Sequence, residues 1–421
     1  MTHDAGKAQQ ALETDIAIIG GGMAGASLAL LLDKYCPQFS VTLVEQRPLP
    51  QSGPLQLPSF DARATALSAG AIDIFKSLDV WPVLQTHCAM IERVHVSDRG
   101  HAGGAQLGER DLGDAQSLGA VVENAVLGPV LLEAVRNTGA RLLAPATVTN
   151  LEIGARGAEL LLQVSGAATT LRAQLVVVAD GAESSLRKQL GIDQRYVDYQ
   201  QQALVTTVEI DRSHDGVAYE RFTARGPMAL LPLPARDGAQ RMALVWTRPD
   251  RESSADEAVG VERLLALPER DFCKALQDEF GWRAGRILRC GERHHYPLGL
   301  SLSDEQVRSH VVLMGNAAHF LHPVAGQGFN LTLRDCETLA QVVARGVASN
   351  CAPGELHLLM DYAESRQRDQ ALTIGFSDRV PGLFSSANPW LQVARQFGLL
   401  GLALAPPLRS AFARQAAGLG L

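Results

Sequence analysis

The sequence has few cysteines and no excess of basic charge. The formal net charge of the 421 residues is −7. Because a nucleic-acid-binding surface needs clustered Lys and Arg, this balance argues against general nucleic-acid binding. The six cysteines are scattered and form no C-x-x-C pair: Cys36, Cys88, Cys273, Cys290, Cys336 and Cys351. Their spacing predicts reduced thiols in a cytosolic protein and no metal site.

Long hydrophobic runs are also missing. The longest apolar stretch near the C-terminus, residues 397–405, is too short to cross a bilayer. The first dozen residues are polar and rich in Ala and Gln, without the apolar core of a signal peptide. These absences predict a cytoplasmic protein. The length of the chain suits two or three domains with substantial cores.

Residues 15–47 contain the strongest motif, a strand, a glycine turn, a helix and a second strand. Gly20, Gly22 and Gly25 follow the first strand at G-x-G-x-x-G spacing, and Glu45 ends the second strand. In this motif the glycines allow a tight turn and close approach of the backbone to a pyrophosphate, which lies at the helix N-terminus. An acidic residue at the position of Glu45 accepts hydrogen bonds from the adenosine ribose. The motif predicts a dinucleotide site and leaves NAD and FAD both open.

Two further stretches have the character of nucleotide-binding loops. A buried strand ends in Asp180 and Gly181, and a helix begins close behind. A second strand runs into a loop and then a helix that are rich in glycine and polar residues. The candidate cofactor contacts in that loop and helix are Gly315, Asn316, Pro323, Gly326, Gly328 and Asn330. A polar side chain at position 316 reaches a ribityl or ribose hydroxyl, and glycine N–H groups at a helix start can hold the flavin N1–C2=O edge.

The middle of the chain has a different pattern. Four β-rich runs, residues 205–210, 218–222, 228–233 and 242–246, are separated by polar breaks. They predict an antiparallel sheet distinct from the α/β part. Residues 262–280 read as a helical stretch, and residues 287–297 and 311–314 as strands.

Together the three nucleotide-binding stretches resemble the flavoprotein aromatic hydroxylases, the group A monooxygenases with the para-hydroxybenzoate hydroxylase fold. Within that family, residues 60–64, 95–100 and 315–330 resemble the ubiquinone-biosynthesis hydroxylases. Residues 101–103 and 280–283 point more narrowly to the enzymes that oxidise C1 of 2-octaprenyl-6-methoxyphenol. Asn316 departs from the Asp that is usual in the family, and it keeps the hydrogen-bonding capacity without the charge.

The resemblance implies an α/β fold with an α+β substrate domain. A Rossmann-like FAD-binding domain would comprise residues 13–75, 105–190 and 286–345, interleaved with an antiparallel-sheet substrate domain of residues 76–104 and 191–285. Residues 346–421 would form a C-terminal helical segment.

The resemblance also implies the chemistry. NADH or NADPH, docking transiently, would reduce a bound FAD; O2 would then form a flavin C4a-hydroperoxide that hydroxylates a polyprenyl phenol, with no metal. The alternatives are a C5 or C6 hydroxylase of the same pathway, a flavin-dependent isoprenoid reductase and a flavin-bearing scaffold subunit. By resemblance alone, Arg63 is a flavin-side or nicotinamide-side contact.

A base that removes the phenolic proton would make the ring more nucleophilic. His319 and His322 lie in the loop expected beside the flavin and are weak candidates for this role. A histidine that only bonds to backbone is the alternative for either one. His294, His295 and Tyr296 are further candidates, and no single catalytic residue is assigned.

The C-terminal segment carries the last prediction. From residue 380 onward it is largely apolar with a basic balance. One interpretation is a helix packed on the flavin domain. The other is an exposed apolar surface for the inner membrane, the polyprenyl tail or another ubiquinone-biosynthesis protein.

Overall fold

The computed structural model describes residues 11–49, 61, 63–99, 104–112, 117–223, 225–250, 260–321, 326–385 and 410. The strands are β1 (Leu12–Ile19), β2 (Val41–Val44), β3 (Ala64–Ser68), β4 (Ala89–Ile91), β5 (Arg93–Asp98), β6 (Gly104–Gly108), β7 (Gly119–Glu123), β8 (Arg141–Leu143), β9 (Ala146–Gly154), β10 (Gly157–Val164), β11 (Ala167–Val178), β12 (Gln194–Ile210), β13 (Val217–Thr223), β14 (Gly226–Arg236), β15 (Ala239–Pro249), β16 (Ile287–Cys290), β17 (His294–Ser303), β18 (Val307–Arg308), β19 (Val311–Leu313) and β20 (His319–Phe320). The helices are α1 (Met23–Tyr35), α2 (Ala69–Ser77), α3 (Trp81–Gln85), α4 (Asn124–Arg136), α5 (Ser185–Gln189), α6 (Val261–Ala266), α7 (Glu269–Phe280), α8 (Gln327–Ala348) and α9 (Leu356–Ser385), with 3₁₀ turns at Glu109–Asp111 and Gly315–Ala317.

The first sheet is mainly parallel and contains the glycine motif. Its strand order is β18-β19-β11-β1-β2-β8, and β9 and β10 extend it beside β11. Strand β2 and residues 16–19 of β1 are buried, as expected for parallel strands covered on both faces. Helices α1 and α8 pack together in the largest core cluster, through residues such as Leu28, Leu31, Leu339 and Val343. The carboxyl ends of β1, β2, β11 and β19 therefore meet at one edge of this sheet.

The second sheet is largely antiparallel, with strand order β20-β17-β12-β15-β14-β13-β5-β6. The four β-rich runs of the sequence lie in β12, β13, β14 and β15, so the predicted antiparallel sheet is confirmed. One face of this sheet packs on α7 through Leu204, Trp246 and Phe272. Because side chains alternate along a strand, residues between these positions point to the opposite face. A third sheet, β3-β7-β4, joins the two, and Arg241 of β15 forms a paired ion contact with Glu123 of β7 at 3.0 and 3.2 Å.

The fold class predicted from the sequence, α/β with an interleaved antiparallel sheet and C-terminal helices, is confirmed. The exact domain boundaries stay a prediction. Strands β6, β16 and β17, which were assigned to the FAD-binding domain, pair with β5 and β12 in the second sheet. The helical stretch at 262–280 divides into α6 and α7 at Pro268, which starts α7 because its ring cannot continue a preceding helix.

Helix α9 forms the described part of the C-terminal segment. It packs on α8 and ends at Ser385. Among the helices of the described residues, none has the length and apolarity needed to span a bilayer. The apolar run at 397–405 and the surface proposed for it lie outside the described residues.

Candidate functional site

A cavity of about 1010 Å³ lies between the first sheet and the second. One part of its wall comes from the carboxyl ends of β1, β2 and β11 and from the start of α8. The other part comes from the second sheet, whose free face is not covered by α7. The cavity thus has one section with polar backbone and glycines and another with a predominantly apolar wall.

Close backbone contacts require glycine at two positions of the turn after β1. Gly20 has a φ of +114°, and a Cβ there would lie 2.3 Å from the Ala179 carbonyl oxygen. A Cβ on Gly25 would lie 1.9 Å from the Gly20 carbonyl oxygen. These contacts let β1, β11 and α1 approach each other closely. Gly22 is the N-cap residue of α1 and lines the cavity, so the free N–H groups and positive end of this helix are available to a phosphate there.

Glu45 lies at the end of β2 and lines the cavity. Its side chain is 8% exposed, Oε2 accepts a hydrogen bond from the Gly21 N–H at 2.7 Å, and Oε1 accepts one from the Arg47 N–H at 2.8 Å. These bonds hold the carboxylate in one orientation. Because each carboxylate oxygen can accept more than one hydrogen bond, Glu45 retains acceptor capacity for ribose hydroxyls.

We expect Glu45→Ala to weaken FAD binding by about 1.5–3 kcal/mol, or roughly 10- to 100-fold, through loss of charge-assisted hydrogen bonds. The dissociation constant would be measured by titrating apoprotein with FAD and following flavin fluorescence. Glu13→Ala removes an exposed carboxylate from the first sheet outside the cavity and serves as the control. An unchanged FAD dissociation constant in Glu45→Ala would remove Glu45 from the site.

The second and third sequence stretches meet at Arg187. Its guanidinium is 1% exposed and donates hydrogen bonds to the Ala317 carbonyl at 2.9 Å and to the Ala182 carbonyl at 3.0 Å. This buried clamp connects the loop after β11 to the loop after β19, and sequence reasoning did not identify it. Asp180 and Gly181 line the cavity beside it, and nothing lies within 4 Å of the position of a Cβ on Gly181.

The loop and helix start after β19 also line the cavity. Gly315 and Gly326 have φ values of +60° and +62°, in the left-handed region that favours glycine. Asn316 lines the cavity, and Gly328 has open space where a Cβ would be. Pro323 and His322 lie outside the described residues.

The Asn330 side chain forms hydrogen bonds with three backbone groups. Its Oδ1 accepts from the Ser68 N–H at 2.9 Å, and its Nδ2 donates to the Ala66 and Gly326 carbonyls at 2.9 Å each. This amide therefore positions the start of α8 against β3 and α2. The role assigned to it from the sequence was direct contact with the cofactor; the geometry favours positioning of Gly326 and the backbone that follows.

The residues of this section fit FAD. Gly22 places a helix start at the wall, Glu45 offers a fixed carboxylate, and Gly181 and Gly328 leave open space at the cavity surface. We assign the adenosine and pyrophosphate end to the first two residues, and the flavin end to Asn316 and the start of α8. When bound, FAD supplies the electron transfer from NADH or NADPH with which O2 is activated.

Arg63 directly precedes β3 and belongs to a polar cluster. Its Nε lies 2.8 Å from Asp61 Oδ2, its guanidinium lies 4.7 Å from the Tyr296 ring centre, and the Tyr296 hydroxyl donates to Asp61 Oδ2 at 2.9 Å. Burial raises the pKa of the Asp61 carboxyl, and the stronger opposing effects of Arg63 and Tyr296 lower it below the ordinary value. Arg63 and Tyr296 line the cavity, so this cluster presents a cation at its wall.

We expect Arg63→Ala to slow flavin reduction by NADH or NADPH about tenfold or more, with FAD occupancy nearly unchanged. Loss of a hydrogen bond from a charged group costs about 1.5–3 kcal/mol, which corresponds to that range. Stopped-flow absorbance would give the reduction rate, and the flavin-to-protein ratio would give occupancy. Arg172→Ala, on an exposed side chain of β11, is the control. If occupancy fell more than the reduction rate, Arg63 would be structural.

His319 lies in a buried ion-pair network and not on the cavity wall. Its Nε2 is 2.7 Å from Asp335 Oδ2, and both side chains are 1% exposed. Asp335 Oδ1 accepts from Arg366 Nε at 2.5 Å, Arg366 also contacts Asp369, and Arg334 Nε lies 2.8 Å from Asp369 Oδ2. Burial raises the pKa of the Asp335 carboxyl, but His319 and Arg366 lower it further than burial raises it. This geometry favours the structural interpretation of His319.

The remaining base candidates lie on β17. The Nδ1 of His295 is 2.6 Å from Gln202 Oε1, and His295 is exposed. His294 contacts Glu292 at 3.8 Å, and neither histidine lines the cavity. Elsewhere, Cys351, Glu355 and His357 hold ligand-type atoms within 4.8 Å of one another around the start of α9. The sequence spacing did not suggest this trio, and it lies outside the cavity.

Comparison with known proteins identifies the family of the chain. A family model described as FAD binding domain matches residues 13–373. The chain is 34% identical over 406 residues to ubiquinone hydroxylase UbiL of Rhodospirillum rubrum, covering 96% of this chain and 89% of that protein. It is 29% identical over 415 residues to 3-demethoxyubiquinol 3-hydroxylase of Escherichia coli, covering 96% and 99%.

A solved structure shares the fold. The p-nitrophenol 4-monooxygenase PnpA of Pseudomonas putida DLL-E4 superposes with a TM-score of 0.75 at 16% identity, covering 97% of this chain and 99% of that one. The cavity, its glycine-lined section and the family match over most of the chain lead to one conclusion. The chain belongs to the FAD-binding domain family and is an FAD-dependent oxidoreductase of the aromatic hydroxylase type.

Proposed function

We propose that this protein hydroxylates the aromatic ring of a polyprenyl phenol in ubiquinone biosynthesis, with FAD bound and NADH or NADPH and O2 as co-substrates. The observation that carries the proposal is the second section of the cavity. Its wall on the second sheet is made almost entirely of apolar side chains: Val94, Val96, Ala203, Val205, Ala218, Phe222, Ala229, Leu231, Ala243 and Val245. An apolar wall of this extent suits a hydrocarbon-bearing substrate, since it excludes water and gains free energy as apolar surface is buried.

The two sections of the cavity have different roles in this proposal. The glycine motif and Glu45 hold the nucleotide, and Arg63 supplies a cation at the wall that they share. The apolar face of the second sheet orients the substrate ring and keeps water from the reacting centre, which limits unproductive breakdown of activated oxygen. The printed names of the relatives from Rhodospirillum rubrum and Escherichia coli, both ubiquinone-pathway hydroxylases, support the substrate class.

We further propose C1 of 2-octaprenyl-6-methoxyphenol as the position hydroxylated. This assignment depends on the resemblance of residues 101–103 and 280–283, the first of which lie outside the described residues. C5 and C6 hydroxylation in the same pathway are the competing assignments. Association with other ubiquinone-biosynthesis proteins, and contact of the C-terminal segment with the inner membrane, stay predictions.

The test is a reconstituted reaction. The FAD-loaded protein would be incubated with NADH or NADPH, O2 labelled with ¹⁸O, and 2-octaprenyl-6-methoxyphenol in detergent micelles. The expected product contains one labelled oxygen at C1, identified by mass spectrometry and NMR. If the protein hydroxylates only the pathway substrate that reacts at C5 or the one that reacts at C6, that position replaces C1 in the proposal. Two results would overturn the proposed function. One is reduction of a prenyl double bond, and the other is release of hydrogen peroxide with no hydroxylated product from the C1, C5 or C6 substrate.

A further inference from the structure

Among the residues that the structure describes, the apolar wall of the cavity contains one carboxyl group. Glu220 lies on β13 between Ala218 and Phe222, and all three line the cavity. Glu220 is directly opposite Val96 of β5 and Ala229 of β14. Ala229 is opposite Val245 of β15, which is in turn opposite Val205 of β12. From β5 to β12 the row across the sheet is therefore Val96, Glu220, Ala229, Val245 and Val205, and Glu220 is the one polar side chain in that part of the row.

Glu220 has no hydrogen bond or ion pair with any residue that the structure describes. The neighbouring strands line the cavity around Glu220 with apolar side chains: Val94 and Val96 from β5, Ala229 and Leu231 from β14, and Ala243 and Val245 from β15. Helix α9 also packs against β13 and β14, and its Phe376 lines the cavity. The row ends on β17 at His294, four strands from Glu220. The other ionisable groups that line the cavity are Glu45, Arg47, Arg63, Asp180, Glu183, Tyr219 and Tyr296.

The two neighbours of Glu220 along β13 point away from it. The Tyr219 ring packs edge-on against Phe280 of α7 at 5.9 Å, and its hydroxyl donates to the Arg283 carbonyl. Arg221 lies near Arg283, Arg99 and Glu279 on that same side of the sheet. Loss of solvation in its apolar surroundings raises the pKa of Glu220 to about 7. Near neutral pH this carboxyl is therefore divided between its neutral and charged forms.

A carboxyl without a partner in an apolar wall costs free energy, so its retention calls for a ligand with a complementary polar group. A polyprenyl tail has no polar atom, and the oxygens of such a substrate all lie on the ring. Tyr296 and Arg63 cannot serve the same ring oxygen, because Tyr296 is on β17, four strands or roughly 19 Å across the sheet from β13. Glu220 is the group in the apolar section that can recognise a phenolic hydroxyl.

We propose that Glu220 accepts a hydrogen bond from the phenolic hydroxyl of the substrate and removes its proton. This inference rests on the proposed function. The phenolic O–H bond breaks, an O–H bond forms on the carboxylate, and the electron pair stays on the phenolic oxygen as phenolate. The phenolate ring is the better nucleophile for the incoming oxygen. When the hydroxylated product leaves, the carboxyl releases the proton to the water that enters the cavity, and the carboxylate is restored.

The test compares Glu220→Gln with the FAD-loaded wild type. Glutamine keeps the size and polarity of the side chain and cannot accept the proton. We expect kcat for hydroxylation to fall about 10²- to 10³-fold, with FAD content and the rate of flavin reduction unchanged. The wild-type rate should rise with pH through about 7, because only the charged carboxylate accepts a proton, and this inflection should be lost in Glu220→Gln. Glu209→Gln, on β12 outside the cavity, is the matched control.

A second measurement is independent of turnover. The dissociation constant of 2-octaprenyl-6-methoxyphenol for the oxidised, FAD-loaded protein at pH 8 should rise several-fold in Glu220→Gln, which loses the charge-assisted hydrogen bond, and stay close to the wild-type value in Glu220→Asp. If Glu220→Gln keeps the wild-type kcat and pH profile, or binds the phenol as tightly as the wild type at pH 8, the role of Glu220 is overturned while the proposed function stands. Loss of FAD or of the fold in both Glu220 variants would make the residue structural and also overturn it. If the wild type hydroxylates no polyprenyl phenol, the proposed function fails whatever the variants do.

Discussion

Gly22→Val is expected to yield a folded protein that purifies without FAD. Gly22 is the N-cap of α1 and lines the cavity at the proposed pyrophosphate position. A branched side chain there would occupy the space of the phosphates and separate them from the N–H groups of the helix start. Loss of two charge-assisted hydrogen bonds, at about 1.5 kcal/mol or more each, lowers FAD affinity by at least roughly 100-fold. The flavin absorbance of the purified protein and FAD titration of the apoprotein would measure this.

Gly139→Val is the control for this change. Gly139 is exposed, lies outside the cavity and has no atom within 4 Å of the position that a Cβ would take, so valine fits there without displacing a ligand. Circular dichroism would establish that both variants are folded. FAD-saturated Gly22→Val protein with a wild-type dissociation constant would contradict the assignment of the glycine turn as the pyrophosphate site. Gly25 is unsuitable for the test, because a Cβ at that position would meet backbone and change the fold itself.

Asp335→Asn is expected to lower the free energy of unfolding by about 3–5 kcal/mol. Asp335 is 0% exposed and accepts hydrogen bonds from His319 on one oxygen and from Arg366 on the other. An asparagine provides one acceptor and one N–H₂ group, so one of these buried donors would face another donor. Arg366 would also lose its fully buried counter-charge. Chemical denaturation of the apoprotein, followed by circular dichroism, would give the difference.

The pH dependence gives this prediction a second readout. Because the pKa of Asp335 is lowered in the folded protein, its carboxylate stabilises the fold fully above the pKa of the unfolded chain, about 4. That contribution is lost as the pH falls through the folded-state pKa. The stability difference between wild type and Asp335→Asn should therefore be constant near neutral pH and shrink in acid. Glu364→Gln, on an exposed position of α9, should show neither effect. A loss below about 1 kcal/mol for Asp335→Asn would show that the network contributes little.

The buried network also explains why loop residues close to the cavity differ in role. Asn316 and Phe320 line the cavity, and His319, between them, points into the ion pairs of α8 and α9. The network thus stabilises the side of the loop after β19 that faces α8 and α9. The opposite side of the loop faces the cofactor section of the cavity. Asn330 and Arg187 act in the same way on the start of α8 and on the loop after β11.

The nucleotide-binding part of the protein could be predicted from the sequence alone, because the patterns that indicate it are local. The turn depends on a left-handed φ at Gly20 and on a backbone contact at Gly25 that leaves no room for a Cβ, and the position of Glu45 follows from the length of one helix and one strand. The four β-rich runs between residues 205 and 246, with polar breaks between them, likewise predicted the antiparallel sheet. These features predicted the fold class and the family, both of which are confirmed.

The tertiary structure decided the roles of residues whose partners are distant in the chain. Asp335 meets His319 and Arg366 only when α8, α9 and the loop after β19 pack together, and this geometry favours the structural interpretation of His319 over its role as a base. Glu220 drew no attention in the sequence, because one acid among many has no local signal. Strand pairing places it in a row of apolar side chains from four other strands, and loss of solvation there changes the chemistry of its carboxyl. Local patterns determine backbone conformation, whereas the environment of a titratable group is set by side chains brought together from the whole chain.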